Sequence, residues 1–156
     1  IIAANLYARM LTLSTIPMQA TSVIASYDLQ LVGFVLAYMV LGALWYSSIL
    51  FGNTWMEKIG KTKEQLTADF SPLNYLFALV LSFVAAYGVA RLCDWTNCQS
   101  VWDGIVIGLL AGISFVLATM GVNDIFEGRS RTLSIINILY HVVGLTAVGA
   151  IVGAWN

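Results

Sequence analysis

The sequence predicts an all-α polytopic membrane protein, a bundle of four transmembrane helices with an interfacial N-terminal arm. Of the 156 residues, 60% are hydrophobic and 10% are charged, with a mean hydropathy of +0.85. In soluble domains about a quarter of the residues are charged. The ionisable residues leave four uncharged gaps, each at least as long as the roughly 20 residues that cross a bilayer. The gaps are continuously apolar, without the alternation typical of barrel strands.

These gaps divide the chain into two predicted regions. Residues 1–28 form the arm, which begins with an apolar helical face and continues into a polar, proline-containing stretch. Such a segment lies along a membrane surface or against a neighbour. Residues 29–156 form the transmembrane domain, with helix cores at Leu29–Leu50, Leu73–Leu92, Val101–Gly121 and Leu133–Trp155. Tryptophan and tyrosine near the ends of the cores match the aromatic belts of membrane interfaces.

The basic residues predict the orientation of the helices. The segments between helices 1 and 2 and between helices 3 and 4 carry Lys58, Lys61, Lys63, Arg129 and Arg131, whereas the opposite side carries Arg9 and Arg91. Positively charged loops stay on the cytoplasmic, matrix or stromal side, so both termini are predicted on the trans side.

The first residue bears on the predicted location. The sequence begins at Ile1, and a removed targeting peptide would suit a protein of the thylakoid or mitochondrial inner membrane. We favour these membranes over a bacterial inner membrane, although a truncated sequence explains the same start.

Two cysteines, Cys93 and Cys98, lie in the predicted trans-side segment RLCDWTNCQS. Oxidising compartments maintain disulfides, so a disulfide that closes this short loop is one interpretation. Two unrelated free thiols are the other, because spacing does not establish disulfide geometry. A structural zinc site needs about four ligands and is not expected, since the single histidine lies in helix 4.

Two apolar segments are similar to each other: FVLAYM begins at Phe34 in helix 1, and FVLATM begins at Phe115 in helix 3. A duplication in which helices 1–2 correspond to helices 3–4 is geometrically coherent. Chance similarity is the alternative, because helices 2 and 4 share little beyond small and apolar residues.

The stretches LGALWYSSILFGNTWMEKIG and NDIFEGRSRTLSIINILYHVVGLTAVGAIVGAW resemble the DUF1761 family of small four-helix membrane proteins. The resemblance extends over most of the chain from about helix 1 onward. It implies a four-helix architecture, and it supplies no catalytic residue, cofactor or substrate.

His141 is the candidate cofactor ligand, because helix 4 places its imidazole within the hydrocarbon region. A neutral imidazole there could bind the magnesium of a chlorophyll or a haem iron. The alternative is a structural hydrogen bond within the bundle, with Asn137 one turn earlier as the partner. Bis-histidine haem ligation within one chain is excluded, because the sequence contains one histidine.

A polar cluster occupies the turn between helices 3 and 4, formed by Asn123, Asp124, Glu127, Arg129 and Arg131. One interpretation is a polar mouth that accepts an ion or a lipid headgroup. The other is a loop whose internal ion pairs fix the chain reversal.

Glycines recur at every fourth position in helix 3, at Gly104, Gly108 and Gly112, and in helix 4, at Gly149 and Gly153. Small residues at this spacing let membrane helices approach closely. We expect these faces to pack within the bundle and, where surface remains, against other integral membrane subunits.

Catalytic patterns are absent from the sequence, which lacks H-E-x-x-H, G-x-S-x-G and a phosphate-binding glycine loop. The net charge of -1 opposes nucleic-acid binding. The predicted function is a non-catalytic integral subunit of a larger photosynthetic or respiratory membrane complex that contributes packing and contacts to lipid or chlorophyll. The alternative is a small homo-oligomeric solute transporter or channel, which requires that polar residues such as Asn74, Ser82, Asn137 and His141 face a common cavity.

Overall fold

The computed structural model describes residues 28–69 and 71–155, with side chains from residue 33 onward. The helices are α1 (Asp28–Trp45), α2 (Gly52–Ile59), α3 (Lys63–Asp69), α4 (Pro72–Trp95), α5 (Val101–Phe126) and α6 (Arg131–Trp155). The described residues form no strand, so the all-helical prediction is confirmed for this part of the chain. The predicted arm lies outside it, apart from Asp28. The contacts reported below lie within the compact unit that begins at Gly33.

Three helices, α4, α5 and α6, are long and apolar enough to cross a membrane, with 24, 26 and 25 residues. At a rise of ~1.5 Å per residue they measure about 36 to 39 Å, which exceeds the ~30 Å of bilayer hydrocarbon. The chain is therefore an integral membrane protein. The apolar part of α1, Gly33–Trp45, is shorter, so the count of four membrane-spanning helices is not confirmed.

The predicted first helix extends to Leu50, whereas α1 ends at Trp45. The Ser47 hydroxyl donates to the carbonyl oxygen of Leu44 at 2.6 Å, and the N–H of Gly52 donates to the carbonyl oxygen of Ser47 at 2.8 Å. Serine side chains that bond to nearby backbone compete with helical hydrogen bonds. A Cβ at Gly52 would clash with the carbonyl oxygen of Tyr46, so this turn requires glycine.

The segment after α1 contains two short helices, α2 and α3, that the sequence analysis did not predict. α2 ends at Ile59 and is followed by the capping residue Gly60, whose φ of +69° is readily adopted by glycine. Thr62 caps α3: the N–H of Gln65 donates to Thr62 Oγ1 at 3.3 Å, and the N–H of Thr62 donates to Gln65 Oε1 at 2.9 Å. This reciprocal pair is a capping box, and it fixes the position of Lys63 in the first turn of α3.

α5 and α6 pack backbone to backbone. A Cβ at Gly104 would clash with the carbonyl oxygen of Gly149, and a Cβ at Gly108 would clash with that of Leu145. We call this interface the glycine contact; its glycines are Gly104, Gly108, Gly112, Gly149 and Gly153, all buried. Close approach of two helices gains van der Waals contact that larger side chains would prevent. The glycines that the sequence predicts as packing residues therefore lie at the contact between α5 and α6, within this chain.

A π-helical segment, Gly112–Leu117, interrupts the α-helical hydrogen bonding of α5. Such segments insert an extra residue into a turn and change the face that the following residues present. Beyond the segment, Asp124 is the buried residue of α5, and Phe126 is 87% exposed. α5 is thus closely packed along its first half and largely exposed along its second.

The two similar hexapeptides have different environments. FVLAYM lies in α1, where Phe34 is fully buried, whereas FVLATM begins inside the π-helical segment, where Phe115 is 68% exposed. The second copy therefore repeats neither the conformation nor the packing of the first, which favours chance similarity.

Candidate ligand-binding cavity

A cluster of aromatic and polar side chains joins the end of α1 to α6. The indole N–H of Trp45 donates to the carbonyl oxygen of Ile136 at 3.1 Å, and the Tyr46 hydroxyl donates to Asn137 Oδ1 at 3.2 Å. The ring of Tyr140 packs edge to face against Tyr46, with the ring centroids 5.3 Å apart. Aromatic pairs of this kind contribute about 0.5–1.5 kcal/mol beyond their buried area, so the cluster holds the end of α1 against α6.

The predicted cofactor ligand, His141, belongs to the same region. Its Nδ1 lies 2.8 Å from the Tyr38 hydroxyl, whereas Asn137, the expected partner, bonds to Tyr46 instead. If Tyr38 donates to Nδ1, Nε2 carries the proton and cannot bind a metal; if Nδ1 donates to Tyr38, Nε2 keeps a lone pair. Axial ligation of chlorophyll or haem therefore requires the second tautomer.

Two cavities adjoin this cluster. The outer cavity, of about 630 Å³, lies beside α2 and α3, and the inner cavity, of about 540 Å³, lies between α1 and α4. Tyr46, Trp55 and Tyr75 line both. We call the two together the amphipathic cavity, because their linings differ. The outer lining adds Ser47, Ser48, Asn53, Met56, Lys63, Leu66 and Thr67; the inner lining adds Met39, Gly42, Ala43, Asn74, Ala78, Ser82 and Tyr140.

Polarity changes along the amphipathic cavity. Its positive charge, on Lys63, and most of its hydroxyl and amide groups lie in the outer part. Next to Lys63, Glu64 has a pKa below its usual range, chiefly because its carboxylate accepts a hydrogen bond from its own backbone N–H. The inner part is mainly hydrocarbon, with Asn74 and Ser82 as its amide and aliphatic hydroxyl groups. A molecule with a polar head and an apolar chain matches this order.

The structure brings together some of the polar residues that a transport path would need. Asn74 and Ser82 line the inner cavity, whereas Asn137 does not line it and accepts a hydrogen bond from Tyr46, which does. His141 bonds to Tyr38, and its neighbour Tyr140 lines the cavity. The sequence analysis did not identify Trp55, Lys63 or Tyr140 as lining residues; the aromatic residues near the end of helix 1 were the available signal.

The polar cluster between α5 and α6 contains internal ion pairs. Arg129 contacts Asp124, with Nε 3.2 Å from Oδ1, and Glu127, with Nη2 2.7 Å from Oε2. The carbonyl oxygen of Asn123 accepts the N–H of Glu127 at 2.9 Å. Arg131 begins α6 and lines a separate cavity together with Asp124. The loop thus has the internal pairs of one interpretation, and the adjoining cavity is lined by both polar and apolar residues; the polar mouth stays a prediction.

Cys93 and Cys98 are buried free thiols at the opposite end of the bundle. The N–H of Cys98 donates to the carbonyl oxygen of Cys93 at 3.0 Å, so the loop holds the two residues side by side, and their disulfide stays a prediction. No group of three or more histidine, cysteine or acidic residues that could hold a metal ion occurs in the described residues.

Comparison with known proteins matches most of the chain to a protein family. A family model described as "Protein of unknown function (DUF1761)" matches residues 29–153. No curated protein and no solved structure matches the chain. The matched region includes the glycine contact and the residues that line the amphipathic cavity.

Proposed function

This chain belongs to the DUF1761 family, and we propose that the protein is a non-catalytic membrane subunit that binds an amphiphilic molecule. The ligand is a lipid-like molecule whose polar head lies by Lys63 and whose hydrocarbon chain lies between α1 and α4. The observation that carries this proposal is the change from polar to apolar lining along the amphipathic cavity.

The size and chemistry of the cavity support this ligand class. Cavities of about 300–1,000 Å³ accommodate small molecules and cofactors, and the inner part alone measures about 540 Å³. The ammonium group of Lys63 can bind a phosphate or carboxylate head as a point charge. Ser47, Ser48 and Asn53 add hydroxyl and amide groups at the same end.

The proposed placement in the membrane rests on the distribution of basic residues. In this proposal α1 crosses the bilayer together with α4, α5 and α6, and the segments with Lys63 and Arg131 face the cytoplasm, matrix or stroma. The outer cavity then lies at the headgroup level of that leaflet. The proposed host membrane is that of a thylakoid or the mitochondrial inner membrane, where the protein would contribute lipid contacts to a photosynthetic or respiratory complex.

Lipid is favoured over pigment as the ligand. His141, the candidate pigment ligand, does not line the amphipathic cavity, whereas its neighbour Tyr140 does. A contact with other subunits would use a surface other than the glycine contact, because those glycines pack within the chain. The first half of α4 provides exposed apolar side chains for such a contact: Leu73, Leu76, Phe77, Val80 and Leu81.

Gentle detergent extraction and native electrophoresis, followed by mass spectrometry and absorption spectroscopy of the band, test the proposal. We expect this chain in a large multi-protein band, with an amphiphile that stays bound at fixed stoichiometry. A small band that contains this chain alone, without bound amphiphile, would contradict both the subunit role and the binding of an amphiphile. Such a protein would then be assayed for solute movement in liposomes, as the transporter alternative requires.

A further inference from the structure

A separate cavity of about 440 Å³ lies between the end of α5 and the start of α6. Its polar lining residues are Asp124, Arg129, Arg131 and Ser134. It shares no lining residue with the amphipathic cavity, so a ligand here would be independent of the function proposed above.

Asp124 gives this cavity an unusual acceptor. The residue is 7% exposed, and its Oδ1 pairs with Arg129 Nε at 3.2 Å. Its Oδ2 is buried and has no hydrogen-bond partner among the described residues. Burial of a carboxylate oxygen without a donor is unfavourable, so Oδ2 calls for a donor that the described residues do not supply.

The same cavity also has positive groups. Arg131 lines it and begins α6, whose first backbone N–H groups lack intrahelical partners and carry the positive end of the helix dipole. Helix N-termini and arginine side chains both bind phosphate groups. Arg129 and Arg131 beside Asp124 disfavour a simple metal cation, because like charges repel.

Apolar side chains complete the cavity. Ile125 and Ile135 line it and are 76% and 56% exposed. Hydrocarbon next to paired positive and negative groups matches a phospholipid with a zwitterionic headgroup, whose acyl chains can lie along the two isoleucines.

We propose that this cavity binds an aminophospholipid, a phospholipid whose headgroup carries a protonated amine with N–H groups. The ammonium donates to Asp124 Oδ2, and the phosphate accepts from Arg131 and the first turn of α6. Phosphatidylethanolamine meets both requirements. Phosphatidylcholine lacks the N–H donor, and phosphatidylglycerol lacks the positive charge.

The test is a lipid titration of the purified, delipidated full chain by native mass spectrometry. The chain carries Ala78→Trp, whose indole occupies the amphipathic cavity, so that binding there does not contribute. Phosphatidylethanolamine, its N-methyl and N,N-dimethyl derivatives and phosphatidylcholine are compared with identical acyl chains. We expect affinity to fall about tenfold when the last N–H is replaced, the effect of one charge-assisted hydrogen bond. Equal affinity for phosphatidylethanolamine and phosphatidylcholine would overturn the proposal.

Two variants test which carboxylate accepts the hydrogen bond from the ammonium group of the lipid. Asp124→Asn keeps an oxygen for Arg129 but places an N–H where the ammonium would donate, so the preference for phosphatidylethanolamine should disappear. Glu127→Gln removes a carboxylate from the same loop, one that is 56% exposed, and should keep the preference. An unchanged preference in Asp124→Asn would contradict the role of Asp124. Because the lipid series uses a chain with Asp124 intact, misfolding of this variant would leave the main test unaffected.

Discussion

The glycine contact and the amphipathic cavity are both formed between apolar helices, yet one interface is closed and the other is open. At the glycine contact, α5 and α6 meet through residues without side chains, and Gly104 and Gly149 touch backbone. At the inner cavity, the large rings of Tyr46, Tyr75 and Tyr140 line the space between α1 and α4. In a bilayer, apolar surface gains little by leaving lipid for another helix. Side-chain size and polar bonds therefore decide which helix pairs close.

A methyl group at the glycine contact should have the largest effect. Gly104→Ala places a Cβ against the carbonyl oxygen of Gly149 and forces α5 and α6 apart, for which we expect a loss of about 2 kcal/mol or more in the free energy of unfolding. Gly88→Ala in α4 is the matched control, because nothing lies within 4 Å of a Cβ there. Denaturant titration in detergent measures both. Equal stability of the two variants would show that the contact is not close-packed.

Loss of one polar bond at the open interface should have a smaller effect. Tyr46→Phe removes the donor to Asn137 Oδ1, and a hydrogen bond of this kind in a membrane protein contributes about 0.6 kcal/mol on average. Tyr87→Phe is the control, because Tyr87 stacks on Phe83 with the ring centroids 6.4 Å apart and the phenyl ring keeps that contact. In the same titration, Tyr46→Phe should have a lower free energy of unfolding than the control. The reverse order would contradict a structural role for the Tyr46 hydroxyl.

Neutralising the outer end of the cavity should leave stability unchanged and weaken binding slightly. Lys63→Gln removes the positive charge of the lining, and a solvent-exposed ion pair contributes about 0.2–1 kcal/mol. Affinity for an amphiphile with an anionic head should therefore fall by a factor of about 1.4 to 5. Lys58→Gln, at a residue paired with Glu57 outside the lining, is the control. Titration at low and high salt should show that the difference in affinity between the two variants shrinks as the salt concentration rises. Equal losses of affinity in both variants would contradict the assignment of Lys63 to the binding site.

Features with a local cause could be predicted from the sequence. Long uncharged gaps identified α4, α5 and α6, and glycine at every fourth position identified the face on which α5 and α6 pack. The end of α1 was missed, because it depends on a turn in which Ser47 and Gly52 bond to backbone that an apolar helix would otherwise use. The π-helical segment has no comparable signal in the sequence.

Features that depend on several helices could not be predicted. Asn137 was a reasonable partner for His141, because both lie on one face of one helix, but Tyr38 reaches His141 from α1. The amphipathic cavity needs side chains from α1, α2, α3, α4 and α6. Its existence follows from how these helices pack, which spacing along the chain does not determine.

The central claim, that hydrocarbon occupies the space between α1 and α4, is tested most directly by filling that space. Ala78→Trp places an indole in the inner cavity, whereas Val84→Trp places one on the outer surface of the same helix, at a residue that is 58% exposed. Both variants and the unaltered chain would be purified gently, and bound amphiphile would be counted by native mass spectrometry. The account predicts that Ala78→Trp alone loses one bound amphiphile per chain. Unchanged occupancy in Ala78→Trp, or equal loss in both variants, would contradict it.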